Sequence, residues 1–278
     1  MKRLLEIEFI KLWNSRSSRI LIISYFALLS LISILTTIDF SFGKIQFRLA
    51  EQGIFNFPYI WHINTFIAGV LKIFIAIVIV SMMSNEYSNK TLKQNLIDGL
   101  SKKEFVLSKF YMVVVFSLIS TIFIATVTLI LGLIYSDYKT ASIIFTDTEF
   151  LLSYFVKLVG FFSLCLFLGM LVRKSAFALG FLFIWYILEW LFFGLLNYVL
   201  PDNSEIPGKI FKFLPIQSLS NLIKEPVSRF NAVMTLANQV GEDLTRDYTT
   251  HWYEYTIVII WTLFFLFFTY ITLKRRNL

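Results

Sequence analysis

Charge is scarce in this sequence. Only 15% of its 278 residues are Asp, Glu, Lys or Arg, while 57% are hydrophobic and 31 are Phe. Soluble domains carry about 25% charge and 45–50% apolar residues. With a mean hydropathy of +0.73, the chain is too apolar for an ordinary soluble domain. Cysteine is limited to Cys165, inside an apolar run, so no internal disulfide can form and the redox compartment is not informed. His62 and His251 stand far apart near the edges of apolar runs and read as interfacial polar residues. A metal centre needs more convergent ligands, and none is expected. The five prolines, Pro58, Pro201, Pro207, Pro215 and Pro226, all avoid the long apolar runs.

Catalytic signatures are missing as well. There is no G-x-x-x-x-G-K-[ST] phosphate cradle, no G-x-S-x-G and no H-E-x-x-H. The chain is therefore expected to have no catalytic residues and no cofactor of its own, and not to hydrolyse ATP alone. An integral-membrane enzyme acting on lipid would require clustered Asp, His or Glu at a membrane face, and none is visible. Asp147 and Glu149 are close in sequence but read as outer-loop residues.

What is present is a series of long apolar runs. A spanning helix needs about 20 mainly apolar residues. Residues 18–38, 60–84, 108–136, 151–172, 176–199 and 252–273 meet that condition. The expected fold is an all-α integral membrane protein with six transmembrane helices, a single transmembrane domain over 1–278. Residues 1–16 are charged throughout and lack the uninterrupted apolar centre and cleavage site of a signal peptide. Leu5, Phe9 and Leu12, with Trp13 beside them, predict an amphipathic interfacial helix there. Residues 200–251 form the longest outer segment. Helical spacing at Leu219, Leu222 and Ile223, and again at Phe230, Val233 and Met234, predicts two short outer helices.

Lys and Arg fix the orientation. With both termini on one side, that side holds 15 of the 25 basic residues and 5 of the 18 acidic ones. Both termini are therefore expected to be cytoplasmic. The basic excess sits beside membrane ends, facing anionic lipid rather than nucleic acid. Three charges fall inside spans: Lys72, Lys157 and Glu189. Charges at that depth face the protein interior or a hydrated path. Lys157 and Glu189 lie at matching depth and are expected to pair, with Lys72 as the rival partner.

The most informative stretch is 85–109, NEYSNKTLKQNLIDGLSKKEFVLSK, a polar, Lys-rich island between two apolar runs. Its order of Glu86, Thr91, Leu92, Leu96, Ile97, Gly99, Leu100, Ser101, Lys102 and Lys109 resembles the intracellular loop of ABC-2-type transporter permeases. The resemblance extends to the topology, with an N-terminal elbow helix at 1–16, a cytoplasmic coupling loop after the second span and a re-entrant-like outer region before the sixth. Lys90 stands where that family often has Gly, and Gly99 where Pro is common; Gly99 can end a helix in the left-handed conformation.

The resemblance implies a permease subunit of an ATP-binding cassette exporter in a bacterial cytoplasmic membrane. A separate ATPase subunit would bind ATP and Mg²⁺, and Glu86, Thr91, Leu96, Gly99, Lys102 and Lys109 would contact it. It further implies a second permease copy, a homodimer in the simplest case. Gly69, Gly132, Gly160, Gly169 and Gly180 offer close-packing points either for that dimer or within the chain. An amphipathic or lipid-like substrate suits the apolar spans. A non-transporting membrane anchor within a larger machine is the competing reading.

Overall fold

The computed structural model describes residues 2–35, 40–42, 45–47, 54–200, 205–226, 229, 233 and 247–276. Helix dominates, as it must where hydrocarbon offers the backbone no hydrogen-bond partner. Helix α1 (Lys2–Asn14) breaks at Ser15 before α2 (Arg16–Leu35). Strands β1 (Phe40–Phe42) and β2 (Ile45–Phe47) then pair antiparallel, with Phe42 opposite Ile45. The rest of the described fold is helical, in keeping with the all-α expectation. The hairpin's sequence carries the period-2 pattern of a strand, with Ser41 and Gln46 each between apolar residues.

Helices α3 (Tyr59–Leu71) and α4 (Ile73–Ser88) divide one apolar run, bent by 40° at Lys72. The short α5 (Thr91–Ile97) leads into α6 (Lys102–Tyr135), which starts earlier than its apolar run because Ser101 and Glu104 form a reciprocal capping box. There follow α7 (Ala141–Ile144), α8 (Glu149–Val172), α9 (Ser175–Val199), α10 (Ile206–Lys212), α11 (Pro215–Asn221) and α12 (Trp252–Lys274). Among the described residues five helices are individually long and apolar enough to cross a membrane, or six if the bent pair α3–α4 counts as one span. Short helices do precede the last span at α10 and α11. Of the second expected outer helix, Phe230 and Met234 lie outside the described residues.

Helix α8 is the axis of the bundle, packed against α3, α4, α6, α9 and α12. Glycine lets its neighbours approach. A Cβ at Gly169 would come within 2.9 Å of the Met83 Cβ, and one at Gly160 within 2.9 Å of the Val258 side chain. Gly132 lies against the Phe57 ring and Gly69 against the Lys157 side chain. Four of the five candidate dimer glycines thus serve contacts within the chain. Gly180, on the largely outward-facing α9, meets open space. Deep in the bundle the Tyr25 and Tyr154 hydroxyls are 2.8 Å apart, joining α2 to α8.

Both ends of the described chain gather on one face of the bundle, with the C-terminal end of α4, all of α5 and the start of α6. The opposite face is fastened by polar and aromatic contacts. Trp61 Nε1 donates to the Ile144 carbonyl at 2.7 Å, and Arg229 meets Asp147 at 3.0 Å beneath Tyr59, Phe150 and Tyr248. His62, in the first turn of α3, is fully buried within the protein. It stacks on Phe150 and bonds the Lys224 carbonyl at 2.8 Å. Among the described residues no group of three or more His, Cys, Asp or Glu is arranged to hold a metal ion.

Candidate functional site

The polar island after α4 folds into a helix–turn–helix on the face that carries both ends. Two left-handed residues shape it. Lys90 (φ 55°) turns the chain between α4 and α5, and Gly99 (φ 96°) releases it after α5. Gly99 does what the sequence suggested. Lys90 occupies a conformation that favours glycine, the residue common at this position in the resembled family.

Beneath α5 lies a cluster of four charges drawn from three helices. Lys109 of α6 places its Nζ 2.5 Å from Glu8 Oε2 of α1 and 2.6 Å from Glu86 Oε1 of α4. Lys11 of α1 reaches the same Glu86 oxygen at 3.0 Å. The other Glu86 oxygen accepts a 2.6 Å bond from the Thr91 hydroxyl, the first residue of α5. Side-chain exposure is 1% for Lys109, 4% for Glu86 and 6% for Glu8. Two carboxylates and two ammonium groups make the cluster neutral, which is the condition for burying such charge. A polar cleft of about 360 Å³ opens beside it between α1 and the end of α4.

Further ties bind the C-terminal end to the same face. Lys102 Nζ donates to the main-chain carbonyls of Lys274 and Arg276, both at 3.2 Å. These lie at the C-terminal end of α12, where helices leave carbonyls unpaired. Arg276 donates in turn to the Tyr87 hydroxyl at 2.6 Å and the Leu171 carbonyl at 2.9 Å. The start of α6 and the ends of α4, α8 and α12 are thus joined through charged side chains.

The six residues singled out in the sequence therefore divide by position. Glu86, Thr91 and Lys109 form the internal cluster, with Glu86 and Lys109 brought into direct contact from opposite ends of the island. Lys102 is engaged with α12. Leu96 is half-buried, and Gly99 lies exposed at the turn. The free face of α5 consists instead of Lys93, Gln94, Ile97 and Asp98, with Leu92 buried on its other side. Ile97 is 73% exposed, a large apolar side chain on an otherwise polar surface. Sequence reasoning also passed over Glu8, whose only signal is its spacing of three from Lys11.

The amphipathic α1 is turned differently from expectation. Glu8 and Leu12 face the protein, whereas Phe9, Ile10 and Trp13 face outward. An apolar groove of about 480 Å³ runs from Phe9 and Trp13 to Phe26 and Phe123. That outward apolar edge fits a helix lying in the membrane interface.

The intramembrane charges need a correction. Lys157 and Glu189 do not pair. The Glu189 carboxylate on α9 points to the start of α11, accepting bonds from the Ile216 and Gln217 amides at 3.0 Å each and from Trp185 Nε1 at 2.9 Å. Lys157 on α8 turns instead toward α3, over Gly69. Lys72 does not take the carboxylate either; its Nζ lies 4.6 Å from the Phe161 ring centroid. The two side chains leave their helices toward different neighbours, Lys157 toward α3 and Glu189 toward α11.

A model of ABC-2 family transporter proteins matches residues 35–274. A search among curated proteins returns no match. The family match covers all the described apolar helices after α2 and includes the helix–turn–helix with Glu86 and Lys109, while Glu8 and Lys11 precede it: the chain belongs to the ABC-2 transporter family.

Proposed function

We propose that this chain is the permease subunit of an ATP-binding cassette exporter and that α5 is the handle by which a separate ATPase moves it. The family implies an ATPase partner. The observation that carries the reading is the mounting of α5. Its first residue is bonded to Glu86, and Glu86 is held by Lys109 and Lys11. A push on α5 is thereby delivered to α1, α4 and α6 together as a rigid-body displacement. The exposed face of Lys93, Gln94 and Ile97 is the part available to a partner. Glu86, Thr91 and Lys109 act from beneath it, fixing the handle rather than touching the ATPase.

In this reading the bent pair α3–α4 is one of six spans, α1 is the elbow helix, and both termini are cytoplasmic. The working unit contains two permeases, a homodimer in the simplest case, and two ATPases that bind ATP and Mg²⁺. The face joining both chain ends also carries the basic segments, which supports the orientation. The substrate class is amphipathic or lipid-like.

The test is co-purification of the full chain with an ATP-binding cassette ATPase from its native membrane, repeated with Ile97→Asp. The wild-type chain should retain the ATPase and the variant should lose it while remaining folded. An ATPase retained equally by both would remove α5 as the docking element. Purification of the wild-type chain without any ATPase would remove the permease reading.

A further inference from the structure

Two lysines meet at a helix crossing within the membrane-spanning region, and no acid answers them. Lys72 occupies the break between α3 and α4, one turn beyond Gly69. Lys157 crosses from α8 and lays its Nζ 3.8 Å from where a Gly69 Cβ would stand. Phe161, one turn along α8 from Lys157, carries the Lys72 ammonium over its ring. Gly69 and Phe161 thus place the two lysines at one crossing of the bent span with α8. Lys157 is 5% exposed. Among the described residues neither lysine forms an ion pair or a hydrogen bond, and Glu189 is already occupied by three N–H donors. A like-charged pair at such depth is costly without a counter-charge.

Beside this pair a groove of about 370 Å³ opens between α4, α9 and α11. Lys72 stands among its lining residues, with Ile77, Phe161, Phe183, Tyr186 and Ile216 supplying an apolar wall. The only charged side chain in that lining is a cation. Head and tail of a ligand are therefore specified separately: a negative group for the lysines, a hydrocarbon chain for the wall.

Resting on the permease reading, we infer that this groove is the substrate-entry site and that the substrate is an anionic amphiphile, with a carboxylate or phosphate head on a hydrocarbon tail. The head sits on Lys72, which lines the groove, with Lys157 behind it beside Gly69, and supplies the missing counter-charge. Its tail lies along Phe183 and Tyr186 on the outward-facing α9, so the ligand enters sideways from the bilayer. Lys72 lines this groove at the 40° bend between α3 and α4.

The experiment uses the permease–ATPase complex in phosphatidylcholine nanodiscs. The probe is a long-chain fatty acid carrying a photoreactive diazirine in its tail, compared with its methyl ester. The carboxylate should label peptides around Ile73–Ile77 and Phe183–Tyr186, and Lys72→Met/Lys157→Met should reduce that labelling by about tenfold or more, the scale of losing charge-assisted contacts. Lys72→Arg/Lys157→Arg should retain most of it, which separates lost charge from lost fold. Addition of ATP and Mg²⁺ should lower groove occupancy by driving the probe onward. Equal labelling by the methyl ester, or labelling unchanged in the Met variant, overturns the site. Carboxylate labelling that depends on the lysines but ignores ATP identifies a resident lipid and overturns the transport role. Failure of the ATPase to dock on α5 would count against the permease reading while leaving the labelling result intact.

Discussion

Lys109 and the pair Lys72–Lys157 show two ways of burying the same side chain. Lys109 lies between two carboxylates at 2.5 and 2.6 Å, in a cluster whose charges cancel. Lys72 and Lys157 have an aromatic ring and a glycine beside them and, among the described residues, no carboxylate. The first arrangement is complete within the chain and binds three helices. The second is complete only with something added. A neutral buried cluster is a fastening; the uncompensated pair is where the proposal above places an anionic ligand.

The largest effect should come from breaking the fastening. Lys109→Met leaves Glu8 and Glu86 with only the partly exposed Lys11 between them, and should cost about 3–5 kcal/mol. Thermal unfolding of the detergent-solubilised chain measures it. Lys72→Met/Lys157→Met, by contrast, removes two like charges and should leave that unfolding unchanged or raise its midpoint. If both variants destabilise equally, the two regions do not differ as described.

Glu189 sharpens the distinction at intermediate size. Glu189→Gln leaves one acceptor oxygen for three N–H donors and should cost about 1–3 kcal/mol. Because Lys157 is not its partner, combining it with Lys157→Met should be additive within about 0.5 kcal/mol in a double-mutant cycle. A larger coupling would restore the ion pair that the geometry denies.

Lys90→Gly tests the mounting of α5 more gently. Relief of left-handed strain outweighs the added chain entropy only slightly, so a gain of less than about 1 kcal/mol is expected in the same unfolding measurement. The smallest stability effect should be at Ile97. Ile97→Asp touches only the exposed face of α5 and should stay within about 0.5 kcal/mol of wild type.

The spans were legible because hydrocarbon imposes long apolar runs, and the helix–turn–helix because its polar residues interrupt them so sharply. Gly99 was readable for a local reason: little but glycine relaxes into that φ. The charge cluster was only half legible. Glu86 and Lys109 drew notice from their place in the island, but Glu8 lies more than 75 residues away in sequence from Glu86 and carries no local mark. Depth along a helix could be counted for Lys157 and Glu189, whereas the direction in which each side chain leaves its helix depends on packing. Of the two uses open to the glycines, packing within the chain accounts for four, since small residues suit any close crossing and Met83, Phe57, Val258 and Lys157 were there to meet them. The hairpin at β1 and β2 was visible in its alternation but was overshadowed by the apolar runs around it.

The handle on which the functional reading rests can be tested at a single side chain. A photoreactive amino acid is placed at position 97 of the full chain, and at Tyr138 on the opposite face as a control. After irradiation in native membranes, the cross-linked partner is identified by mass spectrometry. The account predicts an ATP-binding cassette ATPase joined at 97 and absent at 138. An ATPase joined elsewhere on the chain, with none at 97, would contradict it.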